Sequence, residues 1–184
     1  MRRIVLAGTF VAVVALLLTG CATTPKSAEG KAELTTKVQT AIDRATKADP
    51  GLDKFFKEAA GYAVFPSVGK GAIGVGGAYG RGELYKAGQL DGFCTLTQAS
   101  IGLQLGGQKY TEIIFFETPA ALDRFKSGNF AFAAQASAVA LKSGASANAK
   151  YAGGVAVFTM GEAGLMYEAS VGGQKFSYEP ATTP

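Results

Sequence analysis

Gly69-Lys70-Gly71-Ala72-Ile73-Gly74-Val75-Gly76-Gly77-Ala78-Tyr79-Gly80-Arg81-Gly82 is the stretch on which the fold turns. Its first six residues satisfy the Gly-x-Gly-x-x-Gly dinucleotide fingerprint, and they follow a strand-like run, Tyr62-Ala63-Val64-Phe65-Pro66, that proline ends. The fingerprint works only where a helix opens on its last glycine and presents its amino end to a pyrophosphate. Here glycine recurs every two or three residues for another dozen positions, and each glycine costs a helix about 1 kcal/mol relative to alanine. Residues 72–85 instead alternate Gly or Ala with Ile73, Val75, Tyr79 and Leu84, which predicts a strongly bent strand or hairpin. No Gly-Lys-Ser/Thr phosphate loop occurs in the chain, so no nucleotide site is expected.

Working outward, the same two-residue period continues. Thirteen of the 25 glycines fall between Gly61 and Gly107. Ile101, Leu103 and Leu105 alternate with Gly102, Gln104 and Gly106, and the β-branched and aromatic residues 110–116 predict a buried strand. Thr118-Pro119 reads as a helix N-cap with proline in the first turn, carrying Ala121, Leu122 and Phe125 until Ser127-Gly128-Asn129. Residues 130–141 read two ways: the alanine content favours helix, which composition alone selects, while Phe130, Phe132, Ala134, Ala136 and Ala138 alternate like a strand. Residues 154–160 and 165–171 are the last strand candidates. Upstream, Leu34, Val38, Ala41, Ile42 and Ala45 recur at helical spacing until Asp49-Pro50-Gly51, and Leu52, Phe55, Phe56 and Ala59 form one face of a second, short helix. Both helices are better placed capping a β-structure than lying on a membrane surface. The expected fold is α+β, a mostly antiparallel curved sheet or small β-barrel with N-terminal and flanking helices.

One internal echo stands out. Ala99-Ser100-Ile101-Gly102, followed by Gly106-Gly107-Gln108-Lys109-Tyr110, returns as Ala169-Ser170-Val171-Gly172-Gly173-Gln174-Lys175-Phe176, without a counterpart to residues 103–106. Two hairpins sharing Gly-Gly-Gln-Lys turns would account for it.

The N-terminus adds an address. Arg2 and Arg3 precede an apolar run, residues 4–18, of about fifteen residues, short of the roughly twenty needed to span hydrocarbon. The run closes on Leu18-Thr19-Gly20-Cys21, which resembles a bacterial lipobox; the resemblance implies cleavage before Cys21, a diacylglycerol thioether on its sulfur and acylation (a palmitate-type chain) of its new amine. Ala22 in place of an aspartate implies the outer membrane, periplasmic side. Residues 1–20 are thus expected to be a lipoprotein signal peptide, 21–30 a flexible tether rich in small and polar residues, and 31–184 a single domain. Loss of Arg2 and Arg3 lowers the formal charge of +4 by two, too little for a nucleic-acid partner.

Histidine is absent, which removes Cys-His and Ser-His-Asp catalysis and every histidine metal site. Cys94, in Gly92-Phe93-Cys94-Thr95-Leu96, reads as a small buried thiol. Carboxylates such as Glu112, Glu117 and Asp123 are scattered, so no enzymatic activity, metal or cofactor is expected.

The run Ala60-Gly61-Tyr62-Ala63-Val64-Phe65-Pro66, the glycine block from Gly69 to Gly82, and Ala99-Ser100-Ile101-Gly102-Leu103-Gln104-Leu105-Gly106-Gly107-Gln108 together resemble the SYLF domain, a lipid-binding module also known from a yeast actin-binding protein. The resemblance covers residues 33–178. It implies a compact, mostly β fold with flanking helices, a strand rather than a helix at 130–141, and affinity for acidic phospholipids. Its eukaryotic members bind phosphoinositides and, in fungi, actin, neither of which belongs to a bacterial periplasm. What carries over is a phospholipid membrane as partner.

Such binding needs cations beside groups that reach acyl chains. Lys70, Arg81 and Lys86 lie near Tyr79 and Tyr85 in sequence, and Lys109 adjoins Tyr110. Each Lys or Arg close to an anionic surface contributes about 1 kcal/mol. The expectation is a non-enzymatic envelope lipoprotein that binds anionic phospholipid. The alternative is a structural or interaction protein of the envelope that contacts a protein or glycan partner.

Overall fold

The computed structural model describes residues 24–73, 75–101, 106–128, 130–132, 138–161 and 171–181. The signal region, Cys21 and most of residues 165–171 lie outside them. Helix α1, Ala28–Ala48, starts where the Ser27 hydroxyl accepts the Gly30 N–H at 3.0 Å. It begins inside the segment expected to be a tether, and Thr24, ahead of it, is buried and donates to Glu179 on the last strand. The link to the domain is therefore docked from Thr24 onward. Asp49 ends α1, and α2, Leu52–Glu58, follows.

The strands are β1, Gly61–Ile73; β2, Val75–Lys86; β3, Gln89–Ile101; β4, Gly106–Phe116; β5, Val139–Ala140; β6, Val155–Gly161; and β7, Gln174–Pro180. Helix α3, Pro119–Lys126, lies between β4 and β5, with the Thr118 hydroxyl accepting the Ala121 N–H at 3.2 Å. The seven strands form one open, curved sheet in the order β5-β6-β4-β1-β2-β3-β7, antiparallel except where β5 joins β6. The α+β expectation holds.

Each face of this sheet is covered. On one side α1 and α2 bury Leu34, Val38, Ala41, Leu52 and Phe55 against Val64, Phe93, Ile113, Phe115 and Phe158. On the other, α3 delivers Ala121, Leu122 and Phe125 onto Phe65, Leu96, Ile114, Phe116 and Phe176. Cys94 is fully buried there, and burial raises its thiol pKa well above the ordinary value.

Four readings of the sequence are corrected. β1 does not end at Pro66 but passes through it in a bulge that shifts register against both neighbours, a position where the missing N–H costs no ladder bond. The helix that composition selects for residues 130–141 gives way, in their described parts, to the extended pairing that the SYLF resemblance implied: Ala131 bridges Lys175 on β7, and Val139 and Ala140 run beside Phe158 and Thr159 on β6. The closing strand is Gln174–Pro180, which the sequence reading passed over. Gly106-Gly107-Gln108-Lys109 opens β4 and is no turn, whereas Gly172-Gly173 does form one before β7.

Candidate phospholipid-binding surface

The bent β1–β2–β3 ribbon arranges the candidate residues in register rows. One row runs Lys109 on β4, Gly69 on β1, Tyr79 on β2, Thr97 on β3 and Lys175 on β7. At about 4.8 Å per strand, its two lysines stand roughly 19 Å apart along the sheet. Both are exposed, as is Arg81, two residues from Tyr79 on the same side of β2. Arg81 Nε donates to the Tyr79 hydroxyl at 2.9 Å, and its guanidinium carbon lies 5.9 Å from that ring's centroid, so the cation and the aromatic act as one unit.

Glycine keeps the outward end of this surface bare. A Cβ at Gly71 would meet nothing within 4 Å, whereas one at Gly82 would strike the Val64 carbonyl oxygen at 2.5 Å and the Phe65 ring at 2.7 Å. The glycine block thus splits into close packing near the core and open backbone further out.

Beside Arg81 a groove of about 420 Å3 separates the start of α1 from the Pro66 bulge. Pro25, Leu34 and Pro66 supply its apolar wall, and Arg81, Tyr79, Lys37 and Glu33 its polar one. Lys37 is paired with Glu33 at 2.6 Å, leaving Arg81 as the cation without a carboxylate among the groove's described residues.

The charge pattern is one-sided. No Asp or Glu occurs in residues 69–82, 92–111 or 171–178. Of the acids that bound these stretches, Glu83 and Glu112 are fully buried, Asp91 is paired with Lys126 at 2.8 Å, and Glu179 is exposed. Glu83 accepts from the Thr35 hydroxyl at 2.6 Å and from the Tyr85 hydroxyl at 2.7 Å, and so fastens α1 to β2.

The structure divides the seven residues singled out for lipid contact. Tyr79, Arg81 and Lys109 come together. Lys70 is at the same end of the sheet but one register step over, in the row Gln108–Lys70–Ala78–Gln98–Gln174, and pleating turns that row to the opposite face. Lys86 is at the other end of β2, about 23 Å away along the strand. Tyr85, beside it, stacks on Tyr62 with centroids 5.1 Å apart and donates to Glu83. Tyr110 is 1 % exposed, with its hydroxyl 3.4 Å from the Gln174 amide, and belongs to the core. Cys21 lies outside the described residues.

Lys175 was missed, although the sequence held its signal. In the Gly-Gly-Gln-Lys echo, Lys109 and Lys175 share one row, Gln108 and Gln174 the next, Tyr110 and Phe176 the one before. The echo marks equivalent positions on β4 and β7, the two strands that bracket β1–β2–β3.

Residues 97–182 match the Ysc84 family. It is described as Las17-binding protein actin regulator, and the matched segment includes Thr97, Lys109 and Lys175. The SYLF resemblance and this match point to the same domain family. The chain is also 32% identical over 158 residues to "Beta cell expansion factor A" of Aeromonas veronii, a match covering 83% of this chain and 59% of that protein. The chain therefore spans somewhat over half the length of that relative.

Proposed function

We propose that this Ysc84-like chain is an envelope lipoprotein, anchored through Cys21 on the periplasmic side of the outer membrane, whose domain acts by binding anionic phospholipid and not by catalysis. The observation that carries the reading is the row of Lys109, Tyr79 and Lys175 with Arg81 beside it, on a stretch of sheet without a single acid. Three cations near an anionic surface supply about 3 kcal/mol together, roughly two orders of magnitude in partitioning. The tyrosine gives the cluster an apolar body and a polar tip suited to a headgroup boundary.

Flotation of the full chain with vesicles tests this. Partitioning onto phosphatidylcholine containing phosphatidylglycerol is expected to exceed that onto phosphatidylcholine alone and to weaken with salt, since the Debye length is only about 10 Å at 0.1 M. The combined variant Arg81→Glu, Lys109→Glu and Lys175→Glu, all at exposed positions, is expected to lose that anionic preference while keeping its circular dichroism spectrum. Retention of the preference in the variant, or its absence in the parent, overturns the reading.

A further inference from the structure

Thr24 is the first described residue and it is already fixed: it is buried, and its hydroxyl donates to Glu179 on β7. Three residue steps separate it from Cys21, and a fully extended chain covers them in at most about 11 Å. A cysteine lipidated there sits at the bilayer surface, so the point at which the domain leaves its anchor is held within that distance of the headgroups. The side of the sheet on which Thr24 lies then decides which side faces the membrane.

Alternation along β7 identifies that side. Phe176 packs in the core beneath α3, its ring centroid 5.1 Å from that of Phe125, so Lys175, Ser177 and Glu179 point to the opposite side, the one that carries α1. Tyr79, Arg81 and Lys109 share it, because Ala78 and Tyr110, the chain neighbours of Tyr79 and Lys109, point into the core under α3. Exit point and cations are also close in the plane of the sheet. Lys175 is four residues from Glu179, about 13 Å along β7 at 3.3 Å per residue. Pro25, next to Thr24, lines the same groove as Tyr79 and Arg81. Charge at the exit itself is mixed, with Lys26, Glu29 and Glu179 all exposed; the excess of positive charge begins at Arg81.

The reverse orientation is out of reach. α3 packs against β7 on the other side of the sheet, and a helix with its side chains is about 10–12 Å across. To bring the α3 side down onto the anchoring bilayer, Cys21 would have to pass both the sheet and that helix from a start on the α1 side, which is further than about 11 Å.

We propose that Lys109, Tyr79, Lys175 and Arg81 bind headgroups of the bilayer in which Cys21 is anchored, the domain lying on its own membrane with the α1 side of the sheet down, and not those of a second membrane. This rests on the lipoprotein and phospholipid reading above and adds which membrane is met and by which face. The short link holds the cations at a high effective concentration of headgroups, so contacts too weak to recruit a free chain still set the domain's orientation.

The chain has no tryptophan, so single reporters can be read without background. Thr97→Trp and Ser177→Trp, at exposed positions on the α1 side, and Asp123→Trp, exposed on α3, would each be made in the lipidated full chain and reconstituted into phosphatidylcholine–phosphatidylglycerol vesicles. A dansyl-headgroup lipid is placed either in those vesicles or in separately added ones of the same composition. Energy transfer from Thr97→Trp and Ser177→Trp is expected to be several-fold stronger to the anchoring vesicles than to the added ones, and several-fold stronger than from Asp123→Trp. Two α1-side positions guard against one substitution disturbing the fold. Transfer chiefly to the added vesicles would mean that the surface meets a second bilayer, and transfer chiefly from Asp123→Trp that the other side faces down. Either result, with anion-dependent flotation intact, overturns this orientation and leaves the phospholipid reading standing. Loss of anion-dependent flotation removes both, and a mass showing no lipid on Cys21 removes the anchor and this proposal with it.

Discussion

Glu112 is a buried carboxyl with an orphaned oxygen among the described residues. It is fully buried on β4; its Oε2 accepts from the Gln174 amide at 2.9 Å, and its Oε1 meets no partner among the described residues. Burial pushes its pKa up to about 8, against the pull of hydrogen bonds from Gln174 and Tyr110, so the carboxyl is carried neutral at pH 7. In the unfolded chain it titrates near 4.5. Between those values the folded state holds a proton that the unfolded state has released, so stability falls as pH rises from about 4.5 to about 8 and the loss is complete above that. Glu112→Gln keeps the shape and abolishes the titration. Urea unfolding from pH 5 to 9 is expected to show the variant gaining on the parent up to about pH 8, by on the order of a few kcal/mol, and then running parallel to it. A constant difference across that range would refute the buried, neutral carboxyl. Nothing in the sequence marked Glu112 as different from Glu117, which is exposed just past the end of the same strand.

The β1–β2 hairpin shows why the glycine pattern could be read as β-structure but not apportioned. Alternation identified a bent ribbon, yet packing demand and openness look the same in one dimension. Gly82 is crowded by the Val64 carbonyl and the Phe65 ring, and Gly71 is not crowded at all. Gly82→Ala is expected to lower stability by about 2 kcal/mol or more, because backbone must move to admit the methyl. Gly71→Ala should leave the thermal midpoint within about a degree or two. Equal effects at the two sites would contradict this division. The composition reading of residues 130–141 as helix failed for a related reason, where the resemblance had implied a strand: alanine's helix preference is a few tenths of a kcal/mol per residue, and the edges of β6 and β7 offered its backbone ladder bonds that a local reading does not include.

In the molecule as a whole, the proposed function makes lipid anchor and lipid-binding surface separate devices. A chain held by Cys21 would not need a sheet for attachment, so the cationic face would serve contact with a headgroup, a second bilayer or a sequestered lipid. Cys21→Ala is expected to release the protein from the outer-membrane fraction, read by cell fractionation, and to leave its anion-dependent flotation unchanged. If the variant stays in that fraction, the lipobox reading fails; if flotation loses its anion dependence, the two devices are not independent.

Period and punctuation in the sequence were enough for the α+β class, both N-terminal helices, the capped helix at Thr118, the buried strand at 110–116 and the absence of a helix after Gly69. Those features depend on neighbours a few residues apart, where backbone sterics and alternation act directly. Sequence also showed the pairing of Gly107-Gln108-Lys109 with Gly173-Gln174-Lys175, but not its meaning. Folding put Lys175 in line with Lys109, sent Tyr110 into the core, moved Lys86 to the far end and turned Lys70 to the other face. Each of those outcomes depends on register between strands distant in the chain, and a shift of one residue would move every side chain to the opposite face.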